Sequence, residues 1–170
     1  MSIQETKTEK KISATGAEYD HVSYKNEKIC LVPILRSGEA VSCMGKFLTG
    51  DVSIGYILLQ RDEEDPEKKA KFYYEKLPSD ITDRQVYIVD PMLGTGNSSV
   101  MCLEQLKAKG VDTSKVRFVN LVSCPEGLKN LAEKFPGVEI YTVKVDSHLN
   151  EDKYIIPGLG DFGDRYYGTC

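Results

Sequence analysis

The sequence lacks a positive excess. Its Lys and Arg number 22 against 26 Asp and Glu, a formal charge of −4. A surface that wraps nucleic acid carries the opposite balance, so no nucleic-acid partner is expected. Long apolar runs are also missing. The longest, such as Ile29 to Leu35, hold about seven residues, whereas a membrane helix needs roughly 20. No membrane association is expected. Residues 1–11 are polar and charged with no apolar segment behind them, unlike a secretory signal. The five cysteines are odd in number, widely spaced and without a Cys-x-x-Cys pair. That pattern suits reduced thiols in a cytoplasmic protein and not a disulfide framework. Cys30, Cys102 and Cys124 sit among apolar neighbours, as core filler does. His21 and His148 are the only histidines and lie far apart, so no protein-built metal site is expected.

What is present is an alternation of strand and helix patterns. With 170 residues, the chain is long enough for one domain. Residues 1–14 read as a frayed lead-in, and Thr15-Gly16 before Tyr19-Asp20 signals a hairpin turn. Ile29 to Leu35 is apolar without alternation, as in a strand buried on both faces. Ser37 to Leu48 carries helical spacing in Val41, Met44 and Leu48. Val52 to Gln60 reads as one strand and Phe72 to Leu77 as another. Between them lies the charged run Arg61 to Lys71, which offers nothing for a core. Gln85 to Val89 is a strand, Asn97 to Lys109 a helix stopped by Gly110, and Val116 to Ser123 a strand. Pro125 to Phe135 is a helix with proline in its first turn, and Val138 to Val145 a last strand. This order predicts an α/β fold, a parallel central sheet flanked by helices. Ligands of such sheets bind at the carboxyl ends of the strands.

Three groups of residues fall there. The first is the segment Asp90, Pro91, Met92, Leu93, Gly94, Thr95, Gly96, Asn97 and Ser98. An apolar strand runs into an acid, then a small-residue loop, then a helix. Such a turn aims backbone N–H groups and a helix dipole at an anion. Asp90 can accept hydrogen bonds from ribose hydroxyls. The bland alternative is a capped strand-to-helix turn with Asn97 or Ser98 as the cap. The second group is Tyr154 to Gly168, which holds four of the 14 glycines and lets backbone approach a flat ligand closely. Its alternative is an irregular packed tail, in which Asp161 merely caps a turn or pairs with Arg165. The third is Arg36 and Arg61, each just past a strand and each a fork-shaped donor for phosphate oxygens.

With these pieces in order, the sequence resembles the uracil phosphoribosyltransferase family. The matching motifs are VPILRSGE, LLQRDEE, YEKLP, IVDPMLGTGNS, CPEG and YIIPGLGDFGDRYYG, running from about Thr15 to Thr169. The resemblance implies a type I phosphoribosyltransferase-like domain over residues 1–170, with a mobile flap over 61–72 and a C-terminal base-binding hood over 146–170. It implies pyrimidine salvage: uracil and phosphoribosyl diphosphate give UMP and diphosphate. Asp90 to Ser98 then match the phosphoribosyl loop, and Arg36 and Arg61 the diphosphate side. Ile155, Gly160, Asp161 and Phe162 match the uracil segment, with Asp161 and Arg61 as catalytic groups. Mg²⁺ would travel on the substrate's phosphates, with no ligand from the protein.

The resemblance has departures. Gly94 and Asn97 stand where the family usually has Ala and Gly; Asn97 can still occupy a positive-φ position at modest cost, but it narrows the cradle. Ser37 replaces a usual alanine. The family's residues ahead of the hairpin, which form helices that join subunits, have no counterpart here, so a homo-oligomer is expected to be weakened. The alternative from another class is a non-catalytic relative that senses a nucleotide or pairs with a full-length subunit. The retained Arg36, Arg61, Asp90 and Asp161 oppose it.

Overall fold

The computed structural model describes residues 5–25, 27–61, 65 and 70–169, without the side chains of Tyr24 and Arg61. Among the described residues, twelve strands and four α-helices follow one another. A hairpin opens the chain, β1 (Thr6–Ile12) against β2 (Glu18–Tyr24). Much of the segment expected to be frayed is therefore strand; its Lys and Glu side chains pair along the exposed ribbon, Lys10 with Asp20 at 2.8 Å among them. The turn expected at Thr15-Gly16 is present, with Gly16 at φ +85°.

The main sheet is built from β3 (Glu27–Leu35), β4 (Gly50–Ile54), β5 (Tyr56–Arg61), β6 (Ala70–Lys76), β7 (Gln85–Val89), β8 (Met92–Leu93), β9 (Arg117–Ser123) and β10 (Glu139–Val145). Its order is β10-β9-β7-β3-β5-β6, with β4 on β3 and β8 on β9. All pairs are parallel except β5 with β6. A last two-stranded ribbon joins β11 (His148–Leu149) to β12 (Ile155–Ile156). The helices are α1 (Glu39–Ser42), α2 (Asn97–Ala108), α3 (Pro125–Lys134) and α4 (Phe162–Tyr167).

Burial follows from the sequence pattern. In β3, Cys30, Val32 and Ile34 face one side of the sheet, packed with Ile88, Phe118, Leu103, Leu106 and Leu131. Ile29 and Leu31 face the other, with Tyr87, Val89 and the partly buried Val41 and Met44. A strand covered on both faces can be apolar throughout, which is why this run shows no alternation. Burial pushes the Cys30 thiol up to about 11 and raises that of Cys102 as well, so both are inert filler.

Two elements differ from the sequence reading. The strand expected over Val52–Gln60 is two strands, β4 on the first half of β3 and β5 on its end. The break is Gly55, whose N–H donates to the Leu31 carbonyl at 2.8 Å. A Cβ there would lie 2.7 Å from the Leu77 side chain. The helix expected over Ser37–Leu48 is only α1 followed by a 3-10 turn over Cys43–Phe47. Gly38 and Gly45 bracket this stretch and weaken a continuous helix, and no side chain caps either piece.

Candidate active site

The carboxyl ends of β3, β5 and β7 open into one cleft of about 730 Å³. Arg36, Asp90, Met92, Gly94 and Ser98 line it from the sheet side. Ile155, Gly160, Asp161 and Phe162 line it from the C-terminal segment. The arginine and the two carboxylates, far apart in sequence, thus share one cavity. The backbone of Arg61 ends β5 at the same sheet edge, while its side chain lies outside the described residues. The segment 61–72 expected as a flap also lies largely outside them.

The loop after β7 is shaped by its support. Pro91 and Leu93 are buried and do not line the cleft. The Pro91 carbonyl accepts from Leu121 N and Val122 N at 3.1 and 3.0 Å, and β8 runs beside β9. Gly96 alone takes the left-handed conformation, at φ +80°, and is the N-cap of α2 without a side-chain cap. Neither Asn97 nor Ser98 caps this helix. Asn97 is its first residue, and the positive-φ conformation open to it is taken by Gly96 instead. The Asn97 N–H donates to Thr95 Oγ1 at 3.3 Å, and its side-chain oxygen faces Asn130 Nδ2 at 3.4 Å.

Gly94 has ordinary room for a side chain. An added Cβ would first meet Leu149 Cδ2 at 3.6 Å and Ile155 Cγ1 at 3.8 Å, and φ is not positive. Gly94→Ala is expected to stabilise the protein by about 0.4–1 kcal/mol, through a less free unfolded chain. Urea unfolding checks this; a lower midpoint at equal slope contradicts it.

Arg36 is held from the C-terminal side. Its Nη2 donates to Asp164 Oδ1 at 2.8 Å and its Nη1 to Thr169 Oγ1 at 2.9 Å. Its guanidinium carbon lies 5.3 Å from the centre of the Tyr167 ring, and Tyr167 OH donates to the Arg36 carbonyl at 3.1 Å. Both partners of the ion pair are substantially exposed, so the link orients the guanidinium more than it stabilises the fold. The Thr169 hydroxyl and then Arg36 hold the Asp164 carboxyl below its ordinary range. A depressed folded value means the link is present above the unfolded value and lost as pH falls through the folded one. Amide protection over 164–169, measured relative to the intrinsic exchange rate at each pH, is therefore expected to fall as pH drops below the ordinary carboxylate range, ahead of the strands. Protection over 164–169 that stays constant down to global unfolding contradicts this.

Asp161 does cap a turn: its Oδ1 accepts from Asp164 N at 2.9 Å and starts α4. It lines the cleft at the same time. Arg165 donates to the Leu159 carbonyl instead. Phe162 stacks on Tyr166 with ring centres 5.4 Å apart. Ile155 is buried and belongs to β12.

Several lining residues were not among those singled out as site residues from the sequence, although Leu58, Leu59, Gln60 and Tyr154 lie within the matching motifs. Leu58, Leu59 and Gln60 reach the cleft from β5, and Asp152, Lys153 and Tyr154 from the turn before β12. Lys153 takes φ +66° there, the single non-glycine residue at positive φ among those described. Among the described residues no group of three or more His, Cys, Asp or Glu could hold a metal. The cleft lining still holds four carboxylates, those of Asp90, Asp152, Asp161 and Asp164, hard oxygen donors that suit the water shell of a substrate-borne Mg²⁺. No described helix is long and apolar enough to cross a membrane.

Comparison with known proteins agrees with this geometry. The family model described as uracil phosphoribosyltransferase matches residues 1–169. A uracil phosphoribosyltransferase of Dictyostelium discoideum is 48% identical over 155 residues, 91% of this chain and 70% of that protein. One from Limosilactobacillus fermentum is 44% identical over 169 residues, 99% of this chain and 77% of its own length. Among solved structures, the AQ2163 protein from Aquifex aeolicus superposes with a TM-score of 0.76 at 33% identity, covering 97% of this chain and 76% of that one. A purine phosphoribosyltransferase from Pyrococcus horikoshii shares the fold at a TM-score of 0.51 and 18% identity, covering 70% of each chain.

Proposed function

Because the chain belongs to the uracil phosphoribosyltransferase family, we propose that its cleft joins uracil to the phosphoribosyl group of phosphoribosyl diphosphate. The products are UMP and diphosphate, a pyrimidine salvage reaction. The observation that carries this reading is the meeting of Arg36, Asp90 and Asp161 with the Gly94–Ser98 loop around one cavity.

In this reading the chain is a single phosphoribosyltransferase domain, with 146–170 as its base segment. The loop from Asp90 to Ser98 cradles the ribose 5-phosphate through backbone N–H groups and the start of α2. Arg36 and Arg61 take the diphosphate, Arg36 already oriented by Asp164 and Thr169. The backbone near Ile155 and Gly160 reads the edge of uracil, and Phe162 closes that side. The base nitrogen N1 forms a bond to ribose C1 as the bond from C1 to the diphosphate oxygen breaks. The electron pair of the broken bond leaves with diphosphate, and the N1 proton passes to solvent water or to the departing diphosphate. Positive charge develops on the sugar and negative charge on the leaving group, so placement and electrostatics do most of the work. Asp161 lies where its carboxylate can face the first, and Arg36 where its guanidinium can face the second. Mg²⁺, carried on the substrate's phosphate oxygens, supplies charge neutralisation for the departing diphosphate.

Titration calorimetry tests the metal assignment. Phosphoribosyl diphosphate is expected to bind about tenfold or more weakly in EDTA than in excess Mg²⁺. Equal affinities in the two buffers contradict a substrate-carried metal.

A further inference from the structure

The N-terminal turns of α3 touch both halves of the cleft, and no part of the reaction described above uses them. Cys124, Gly127 and Asn130 recur every third residue and share one face. That face lies against the phosphate loop. Cys124 N donates to the Leu93 carbonyl at 3.2 Å, and the Cys124 thiol points to the Gly94 carbonyl at 3.2 Å. At Gly127 an added Cβ would lie 2.2 Å from the Gly94 carbonyl oxygen, so only glycine allows this approach. Asn130 Nδ2 donates to the Thr95 carbonyl at 2.8 Å and faces Asn97 Oδ1 at 3.4 Å.

The neighbouring residue Glu126 reaches the other way. Its Oε1 accepts from Leu149 N at 2.9 Å. Leu149 pairs with Ile155 across the β11–β12 ribbon, and both side chains border Gly94. One short helix end therefore grips the phosphate loop through Asn130 and the base segment through Glu126.

We propose that Asn130 and Glu126 are positioning residues that set the phosphate loop and the base segment at a fixed separation, so that a nucleoside monophosphate spans both. The inference rests on the functional reading above, since it takes the two halves of the cleft as phosphate and base sites. Neither residue touches a reacting atom. Asn130 anchors the carbonyl at the centre of the loop, which keeps the loop's N–H groups turned to the ligand. Glu126 fixes the strand that carries Ile155.

Binding separates the two roles without relying on turnover. Ribose 5-phosphate occupies the phosphate loop alone, whereas UMP occupies both halves. By calorimetry, Glu126→Ala is expected to weaken UMP roughly three- to tenfold and to leave ribose 5-phosphate within about twofold, the scale of one lost hydrogen bond. Glu126→Gln, which keeps the acceptor oxygen, restores UMP affinity. Asn130→Ala weakens both ligands by a similar factor. Variants that melt lower but bind both ligands as the wild type does overturn the proposal, because a bracing role in the fold alone gives that result. Equal behaviour of Glu126→Ala and Glu126→Gln overturns the role of Glu126. A wild type that binds UMP and shows this split, yet forms no UMP from uracil, contradicts the reaction and supports the positioning role. A wild type that does not bind UMP overturns both.

Discussion

Asp161→Asn is expected to cut turnover about a hundredfold, the scale of a lost transition-state contact. The melting temperature should move by less than about 2 °C. The two effects separate because the side chain has two tasks. Its Oδ1 accepts from Asp164 N and caps α4, a task asparagine performs equally well. Its negative charge lines the cleft beside Asp90 and Arg36, and asparagine cannot supply it. Asp161→Ala removes both and is expected to add about 1 kcal/mol of instability. Single-turnover rates and thermal melts on the two variants read these quantities independently. Near-normal turnover in Asp161→Asn, or a turnover loss only in the alanine variant, reduces Asp161 to a helix cap.

Uracil is expected to be preferred over cytosine by about a hundredfold or more in kcat/KM. Uracil presents an acceptor at O4 and a donor at N3; cytosine reverses both. The proposed readers are backbone groups near Ile155 and Gly160, in a segment fixed by the β11–β12 pairing and by the donation from Gly158 N to Asp146 at 2.9 Å. A backbone donor and acceptor held this way cannot rotate to suit the wrong base. Each polar group left unpaired costs about 1–3 kcal/mol, and two such mismatches give the stated ratio. Comparable turnover of both bases contradicts backbone readout in this segment.

The parts of this site that were legible in the sequence are those whose signal is local. Gln85 to Val89 followed by Asp90 and a small-residue loop is a strand, turn and helix in one continuous stretch, and the structure has all three. Arg36 follows an apolar run and lies at the cleft for the same reason. Where two glycine-permissive positions adjoin, sequence could not decide: the left-handed residue is Gly96 and not Asn97. The division of β4 from β5 was hidden because Gly55 interrupts an apolar run without a turn signal around it. Least legible were the residues whose work is at long range. Asp164 meets Arg36 across 128 positions, and Asn130 meets Thr95 across 35. No periodicity within either segment encodes those meetings; they arise from the parallel stacking of strands that brings loop ends to one edge.

The direct test of function is formation of UMP. Purified protein with labelled uracil, phosphoribosyl diphosphate and Mg²⁺ is expected to yield labelled UMP and diphosphate in equal amounts. Formation should depend on all three additions and be lost on chelation with EDTA. Folded protein that binds phosphoribosyl diphosphate but produces no labelled UMP under these conditions would contradict the account.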